Sequence, residues 1–151
     1  MEAANVDLAL LRLKRSKSEL DNAKSYYNNE QLTNFIADRV YLAVYHGMKA
    51  ALALDGIETD RQNRTISEFN RLYIKTGTFP AEYSIMIENL KRLSFASNND
   101  PFYKSDKKEL NTQIQNAEAI IASIEAHVIK RTRAANESEN LILPAPDSGR
   151  K

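Results

Sequence analysis

The sequence predicts an all-α fold, an antiparallel up-and-down bundle of four main helices and one short helix. Apolar residues recur at intervals of three and four along five segments, which is the spacing of a helix face. No stretch alternates apolar and polar residues in the way a half-buried strand does. The 151 residues include only four glycines and four prolines, which favours helices over a turn-rich β-fold.

The first two helices are predicted over residues 6–27 and 32–54. Asn5 or Asp7 is expected to cap the first helix, and a pair of asparagines at 28–29 ends it because asparagine favours turns. The expected buried face of the first helix is Val6, Leu10, Leu13 and Leu20. The second helix carries a stripe of mostly small residues, which lets a neighbouring helix approach closely: Leu32, Ile36, Val40, Ala43, Gly47, Ala51 and Leu54. Gly56 then ends the helix as a left-handed cap.

Three further helices and a tail complete the predicted chain. Residues 65–68, Thr-Ile-Ser-Glu, fit a capping box for a short helix over 66–75. Pro80 suits the first turn of the fourth helix, since its missing N–H is not needed there. Residues 97–104 are predicted to form a loop. The fifth helix begins near Ser105 or Asp106 and has a heptad seam: Leu110, Ile114, Ala117, Ile121, Ile124 and Val128. We therefore expect a bundle over residues 1–135 and a flexible tail over 136–151.

The composition excludes several classes of function. Without cysteine, the chain has no disulfides, thiolate nucleophile or cysteine-bound zinc, and two histidines are too few for a histidine-rich metal centre. A net charge of +1 gives no overall field that recruits nucleic acid or membrane. No segment resembles a signal peptide or a spanning helix. These observations predict a cytoplasmic protein with no metal or cofactor and no membrane partner.

Arg39 and His46 are the residues of the second helix that point most directly to chemistry. They are seven positions apart, about two turns, so they share one side of the helix. The arginine could stabilise charge on an RNA phosphate while the histidine transfers protons. The structural alternative is an arginine that reaches past the core edge to a carboxylate, and a half-buried histidine bonded to a carbonyl. Tyr41, Tyr45 and Met48 form another stripe, which suits a core or interface role, with base stacking as the alternative.

Two other charged groups allow a functional and a structural interpretation. Asp55, Glu58 and Asp60 follow the second helix and could hold a cation, although the calcium-loop pattern is missing and a solvated loop is the alternative. Basic residues at 12–17 and 130–133 would form a phosphate-binding patch if the two helix ends met. Otherwise they are solvated side chains on a helix face and at a helix C-terminus.

Three runs of the sequence resemble HEPN domains (higher eukaryote and prokaryote nucleotide-binding). Residues 39–52, RVYLAVYHGMKAAL, are similar to the central helix of that family. Residues 66–83, ISEFNRLYIKTGTFPAEY, are similar to its third helix and the turn that follows, and DPFY at 100–103 to the segment before its last helix. The resemblance covers roughly residues 7–129 in unchanged order.

The resemblance implies a small helical bundle that is often dimeric. Such proteins are commonly found with a minimal nucleotidyltransferase in two-gene modules of the toxin–antitoxin type. Some are metal-independent ribonucleases that use an arginine and a nearby histidine. For this chain, we therefore expect a homodimer that binds RNA or a nucleotide through Arg39, Tyr41, Tyr45, His46 and Lys49 and has a nucleotidyltransferase-like partner.

The chain departs from the family's catalytic pattern at several positions. His127 is the only histidine in the last helix, and no arginine stands at the required distance before it. Ser94, Asn98 and Asn99 replace charged or titratable residues that relatives tend to carry, and Gln62 stands where they often have histidine. These changes remove groups that acid–base chemistry needs.

Three hypotheses about function follow. The preferred one is a non-catalytic binding or regulatory subunit that acts beside a nucleotidyltransferase-like partner or on RNA. The second is a ribonuclease toxin that uses Arg39 and His46 as catalytic residues. The third is a purely structural assembly protein whose long fifth helix forms the interface.

Overall fold

The computed structural model describes residues 1–142 of the chain, and the side chains of residues 1–138. The described residues form five α-helices and no β-strand, which confirms the predicted all-α class. A 3₁₀ turn, Thr33–Phe35, leads into the second helix, and a π-helical segment, Asn70–Ile74, continues the third. The helices are α1 (Ala3–Tyr26), α2 (Ile36–Leu54), α3 (Gln62–Phe69), α4 (Glu82–Asn99) and α5 (Lys107–Ile142).

Helix α2 is the centre of the bundle and contacts α1, α3, α4 and α5. Every residue of its predicted stripe from Ile36 to Leu54 is buried, and Leu32, which lies before the helix, is half-buried. Gly47 lets α1 and α5 come close: a Cβ there would lie 3.2 Å from Ser16 Oγ and 3.3 Å from Ile124 Cδ1. This close approach is the feature that the small residues predicted.

Ion pairs and caps fix the directions and ends of the helices. Lys17 and Lys24 of α1 pair with Glu125 and Glu118 of α5, so these two helices are antiparallel. All six residues of the predicted α5 seam are buried. Asp106 Oδ1 accepts the N–H groups of Lys108 and Glu109, at 3.0 and 3.5 Å, at the start of α5. The left-handed backbone of Gly56, with φ of 71°, confirms the predicted cap of α2.

The predicted cap and buried face of the first helix are partly wrong. Helix α1 begins at Ala3, and its N-cap residue, Glu2, makes no side-chain capping hydrogen bond. Leu10 is 45% exposed, although Leu13 and Leu20 are buried as predicted. The reason is that close packing selects small side chains, so the buried stripe also runs through Ala9, Ser16 and Ala23, each 0% exposed.

The predicted capping box is also wrong. Helix α3 begins at Gln62, so Thr65 lies inside the helix rather than at its cap. The buried Thr65 hydroxyl lies 2.5 Å from the hydroxyl of Thr59 and 3.0 Å from the Arg61 carbonyl oxygen. Glu68, the other half of the box, instead accepts two hydrogen bonds from Arg71. The helix thus starts four residues earlier than the capping-box pattern predicts, and the Thr65 hydroxyl is used by nearby residues instead of as a cap.

The fourth helix and the tail differ from prediction at their boundaries. Helix α4 begins at Glu82, two residues after Pro80, and continues to Asn99, through the first part of the predicted loop. Helix α5 runs to Ile142, so residues 136–142 of the predicted tail are helical. The rest of the predicted tail lies outside the described residues, and the division at residue 135 stays a prediction. None of the helices in residues 1–142 combines the length and apolar character that crossing a membrane requires.

Candidate functional site

One face of the bundle gathers cationic side chains from α1 and α2. Residues 12, 15 and 19 recur at helical spacing on α1, as do residues 39, 46 and 49 on α2. Because the two helices run antiparallel and approach closely at Gly47, these two rows meet. The α1–α2 face, as we call it, consists of Arg12, Arg15, Glu19, Arg39, Tyr45, His46, Lys49 and Glu58.

The carboxylate of Glu19 lies between two guanidinium groups. Glu19 Oε1 is 3.5 Å from Arg39 Nη1, and Oε2 is 3.8 Å from Arg15 Nη2. The Glu19 side chain is only 7% exposed, whereas the side chains of Arg39 and Arg15 are 41% and 64% exposed. One carboxylate therefore faces two arginines, and both arginines keep surface in contact with solvent.

His46 lies half-buried among these charges. Burial lowers the pKa of His46, and the positive charges of Arg15, Lys49 and Arg12 lower it further, against the opposing effect of Glu19. Since the pKa falls below the usual value of about 6.5, the imidazole is mainly neutral at pH 7. A neutral imidazole can accept a proton or donate one N–H to a phosphate oxygen.

Lys49 and Arg12 hold the other end of the face. Arg12 Nη2 donates to both oxygens of Glu58, at 2.7 and 2.8 Å, and Lys49 Nζ lies 3.7 Å from the same carboxylate. The ammonium group of Lys49 also lies over the ring of Tyr45, 5.6 Å from its centroid. Over the whole face, two carboxylates are outnumbered by four positively charged side chains, so the face carries a surplus of positive charge. The carboxylates are Glu19 and Glu58, and the cations are Arg12, Arg15, Arg39 and Lys49.

Tyr41 does not belong to this face. It is 3% exposed, and its hydroxyl donates to Gln62 Oε1 at 3.1 Å. Burial raises the pKa of Tyr41 to about 12, with smaller contributions from Tyr45 and Glu88. The structure therefore brings four of the five predicted binding residues together, Arg39, Tyr45, His46 and Lys49, and places Tyr41 in the core.

Two of the three acidic residues that follow α2, Asp55 and Glu58, are paired with basic side chains of the chain itself. Asp55 accepts hydrogen bonds from Arg131, at 2.8 and 3.0 Å, and one from the hydroxyl of Tyr73. Burial acts to raise the pKa of Asp55, but these hydrogen bonds outweigh burial and hold the pKa below its usual value. No group of three or more histidine, aspartate or glutamate side chains in the described part of the chain is placed to hold a metal ion.

Three residues of the two basic groups are paired with carboxylates, and whether the groups form a phosphate-binding patch stays a prediction. Arg12 is paired with Glu58, Lys17 with Glu125 and Arg131 with Asp55. Each of these three cations thus has a carboxylate partner on a different element of the bundle. Arg12 and Arg15 belong to the α1–α2 face, where they pair with Glu58 and Glu19.

At the positions that depart from the family's pattern, uncharged side chains form hydrogen bonds. Ser94 and Asn98 both donate to Asp38 Oδ1, each at 2.9 Å, which joins α4 to the start of α2. Asn99 donates to the Phe95 carbonyl oxygen of its own helix. These contacts are structural links between helices and supply no additional acid or base.

Sequence reasoning missed the part played by Glu19. The residue lies four positions after Arg15, a spacing at which a helical ion pair forms, and this was the available signal. Its contact with Arg39 depends on the close packing of α1 on α2, which no local pattern gives. Glu19 holds Arg39 in place and thereby helps to organise the face.

The fold and the face together define a small all-helical domain with one polar, cation-rich surface. Comparison with known proteins identifies its family. A model of the HEPN domain matches residues 9–127, so the chain belongs to the HEPN domain family. It is also 26% identical, over 125 residues, to a UPF0332 protein of Thermotoga maritima; the alignment covers 80% of this chain and 91% of that protein. Membership of this family supports a nucleotide- or RNA-related role.

Proposed function

We propose that the protein is a non-catalytic binding subunit whose α1–α2 face holds the phosphate groups of RNA. The observation that supports this most strongly is the surplus of cations around a neutral histidine: four arginine and lysine side chains against Glu19 and Glu58. Cationic side chains on one face supply most of the affinity of proteins for nucleic-acid phosphates. Arg39 and Arg15 are the most accessible of these donors.

The same geometry favours binding over cleavage. Acid–base cleavage of an RNA phosphodiester uses a proton acceptor and a proton donor at one site. His46 can supply one of these roles, but Glu19 is buried between two arginines and is poorly placed to supply the other. The positions at which relatives tend to carry charged groups are occupied by Ser94 and Asn98, which are engaged with Asp38.

The affinity for single-stranded RNA tests the proposal. We expect fluorescence anisotropy to show binding that weakens several-fold in Arg39→Gln and in Arg15→Gln. Each variant should also reduce the slope of log affinity against log salt, by roughly 0.7 for each phosphate that the variant no longer neutralises. Lys104→Gln is the matched control, since it removes one exposed positive charge between α4 and α5. Equal reductions in affinity in all three variants, or no reduction in any, would contradict the proposal.

A ribonuclease that uses Arg39 and His46 is the second candidate function. It is favoured by the position of the half-buried His46 on the same side of α2 as Arg39, with a pKa lowered by burial and by the charge of Arg15. Incubation of the purified protein with RNA distinguishes the two functions. Intact RNA supports the binding subunit, whereas cleavage that His46→Ala abolishes, in a folded variant, would establish the nuclease.

We further propose that the subunit forms a homodimer and acts beside a nucleotidyltransferase-like protein. The family resemblance supports both statements, and three exposed phenylalanines offer apolar surface for an interface: Phe35, Phe95 and Phe102. Light scattering on the purified protein measures the oligomer, and native purification from the source cells identifies any partner. A monomer, or a homo-oligomer that carries neither protein nor RNA, would count against the respective statement.

A further inference from the structure

The side of α4 that faces away from the core carries a regular stripe of exposed residues. The opposite side of the helix is buried against the bundle through Tyr83, Ile87, Leu90, Leu93 and Ser94. The exposed positions recur at steps of four and three residues, which is the heptad spacing of a coiled-coil seam. We call them the outer α4 stripe, and all of them are exposed: Ala81, Ile85, Glu88, Arg92, Phe95 and Asn99.

The stripe contains two large apolar side chains that remain in contact with solvent. Ile85 is 67% exposed and Phe95 is 69% exposed. They are separated along the helix axis by about 15 Å, since each residue of a helix adds about 1.5 Å. Single exposed apolar residues are common on protein surfaces, so the residues between these two must indicate what covers them.

The residues between them are a pair of opposite charges, Glu88 and Arg92. Neither forms an ion pair with any other described side chain. The whole stripe is symmetric about position 90. Ile85 and Phe95 lie five residues to either side of that position, and the two charged residues lie two residues to either side. A partner that matches this order of groups is the same stripe with its direction reversed.

A two-fold axis near position 90 would pack α4 antiparallel against α4 of a second copy. Ile85 of each copy then opposes Phe95 of the other, so both apolar side chains leave water. Glu88 of each copy likewise opposes Arg92 of the other, which places opposite charges together twice. Parallel packing would instead set like charges against each other, and charged residues in a seam select the register that avoids this.

We propose that the outer α4 stripe is the two-fold interface of a homodimer, formed by antiparallel packing of α4 on α4. This inference rests on the homodimer proposed above and names the surface and register that form it. The stripe shares no residue with the α1–α2 face. RNA binding by that face therefore does not depend on it.

Sedimentation equilibrium of the full chain, with two charge-reversal variants, tests the interface. Glu88→Arg and Arg92→Glu each place only like charges at the axis, so each should weaken the dimer about tenfold or more. In an equimolar mixture of the two variants, every charged contact of the heterodimer joins opposite charges. We therefore expect the mixture to dimerise within about threefold of the wild-type affinity, and native mass spectrometry to find mainly heterodimers.

A control variant and two apolar substitutions complete the experiment. Glu82→Arg makes the same charge change on α4 at an exposed position outside the stripe, and it should leave the dimer unchanged. Ile85→Ala and Phe95→Ala should weaken the dimer to a similar extent, because each removes one side of the same contact. Circular dichroism checks that every variant is folded.

The possible failures are distinguishable. A wild-type protein that stays monomeric would overturn both the homodimer and this interface. A dimer that neither charge reversal weakens would keep the homodimer and overturn the interface alone. Weakening by both reversals without recovery in the mixture would refute the antiparallel register. A monomer that binds a nucleotidyltransferase-like protein, with that binding lost in Glu88→Arg, would assign the stripe to that partner instead of a second copy.

Discussion

Gly47 lies where α1 and α5 both pack closely against α2, and replacing it by alanine tests the packing that forms the α1–α2 face. In an ordinary helix this change stabilises by about 1 kcal/mol, because alanine has the higher helix propensity. Here the new Cβ would lie 3.2 Å from Ser16 Oγ and 3.3 Å from Ile124 Cδ1. The Ser16 hydroxyl cannot move freely, since it donates to the Ala43 carbonyl oxygen at 2.5 Å.

The expected effect is a net decrease in stability. Overpacking a well-filled core typically costs about 1–3 kcal/mol. Displacing the buried hydroxyl of Ser16 from its acceptor costs on the order of 1–3 kcal/mol if no new partner is found. Partial relaxation of the Ile124 side chain reduces the first cost, and the gain in helix propensity offsets about 1 kcal/mol. We therefore expect Gly47→Ala to lower the free energy of unfolding by about 1–3 kcal/mol.

Urea denaturation of a double-mutant cycle measures this. Ser16→Ala removes the hydroxyl that the new methyl group would meet, so Gly47→Ala should cost at least about 1 kcal/mol less in that background. Ala126→Gly, at an exposed position of α5, reports helix propensity alone. Two results would contradict the expected close packing of the three helices at Gly47. One is that the effects of Gly47→Ala and Ser16→Ala on the free energy of unfolding add within about 0.5 kcal/mol, and the other is that Gly47→Ala alone stabilises the protein.

Three further substitutions test the polar interactions that hold the helices together. Asp55→Asn should cost about 1–3 kcal/mol at pH 7, because Arg131 and Tyr73 lose a charged acceptor. Folding lowers the pKa of Asp55, so the stabilisation by its carboxylate is fully present above the unfolded-state pKa of about 3.9. It is lost as the pH falls through the pKa of the folded state. A difference in stability between wild type and Asp55→Asn that persists at low pH would contradict this. Burial, followed by the charge of Arg131, lowers the pKa of His127, so stability should fall as the pH drops below about 6.5. His127→Gln should flatten the decline of Tm between pH 7 and 5, and an unchanged profile would exclude this cause. Thr65→Val, which removes a buried hydrogen-bonded hydroxyl, should lower the free energy of unfolding by about 1–2 kcal/mol, and a neutral result would show that the hydroxyl contributes little.

The sequence predicted the elements whose structure is decided by regular spacing. The seam of α5 and the stripe of α2 repeat over several turns, so each position adds to the same signal. Helix ends are decided by fewer contacts, and some of these are distant in sequence. The start of α3 depends on few contacts, because the hydroxyl of Thr65 bonds to Thr59 and Arg61, six and four residues away, instead of capping the helix. The prediction for Leu10 failed because the small residue Ala9 is favoured where two helices lie close.

The same distinction applies to the α1–α2 face. Arg39 and His46 lie seven residues apart on one helix, so their shared side followed from helix geometry. The burial of Tyr41 did not follow from helix geometry, because a tyrosine at helical spacing can face either the core or solvent. Its hydrogen bond to Gln62 joins residues of two different helices. The contact between Glu19 and Arg39 joins two helices, and only the packed bundle reveals it.

Nuclear magnetic resonance offers the most direct test of RNA binding by the α1–α2 face. Titration of the labelled protein with a short single-stranded RNA should shift the backbone amide signals of residues 12–19 and 39–49 in a saturable way. The signals of α4 and of the C-terminal half of α5 should move little. Shifts confined to those other helices, or no shifts at RNA concentrations that saturate binding by anisotropy, would contradict the assignment of this face.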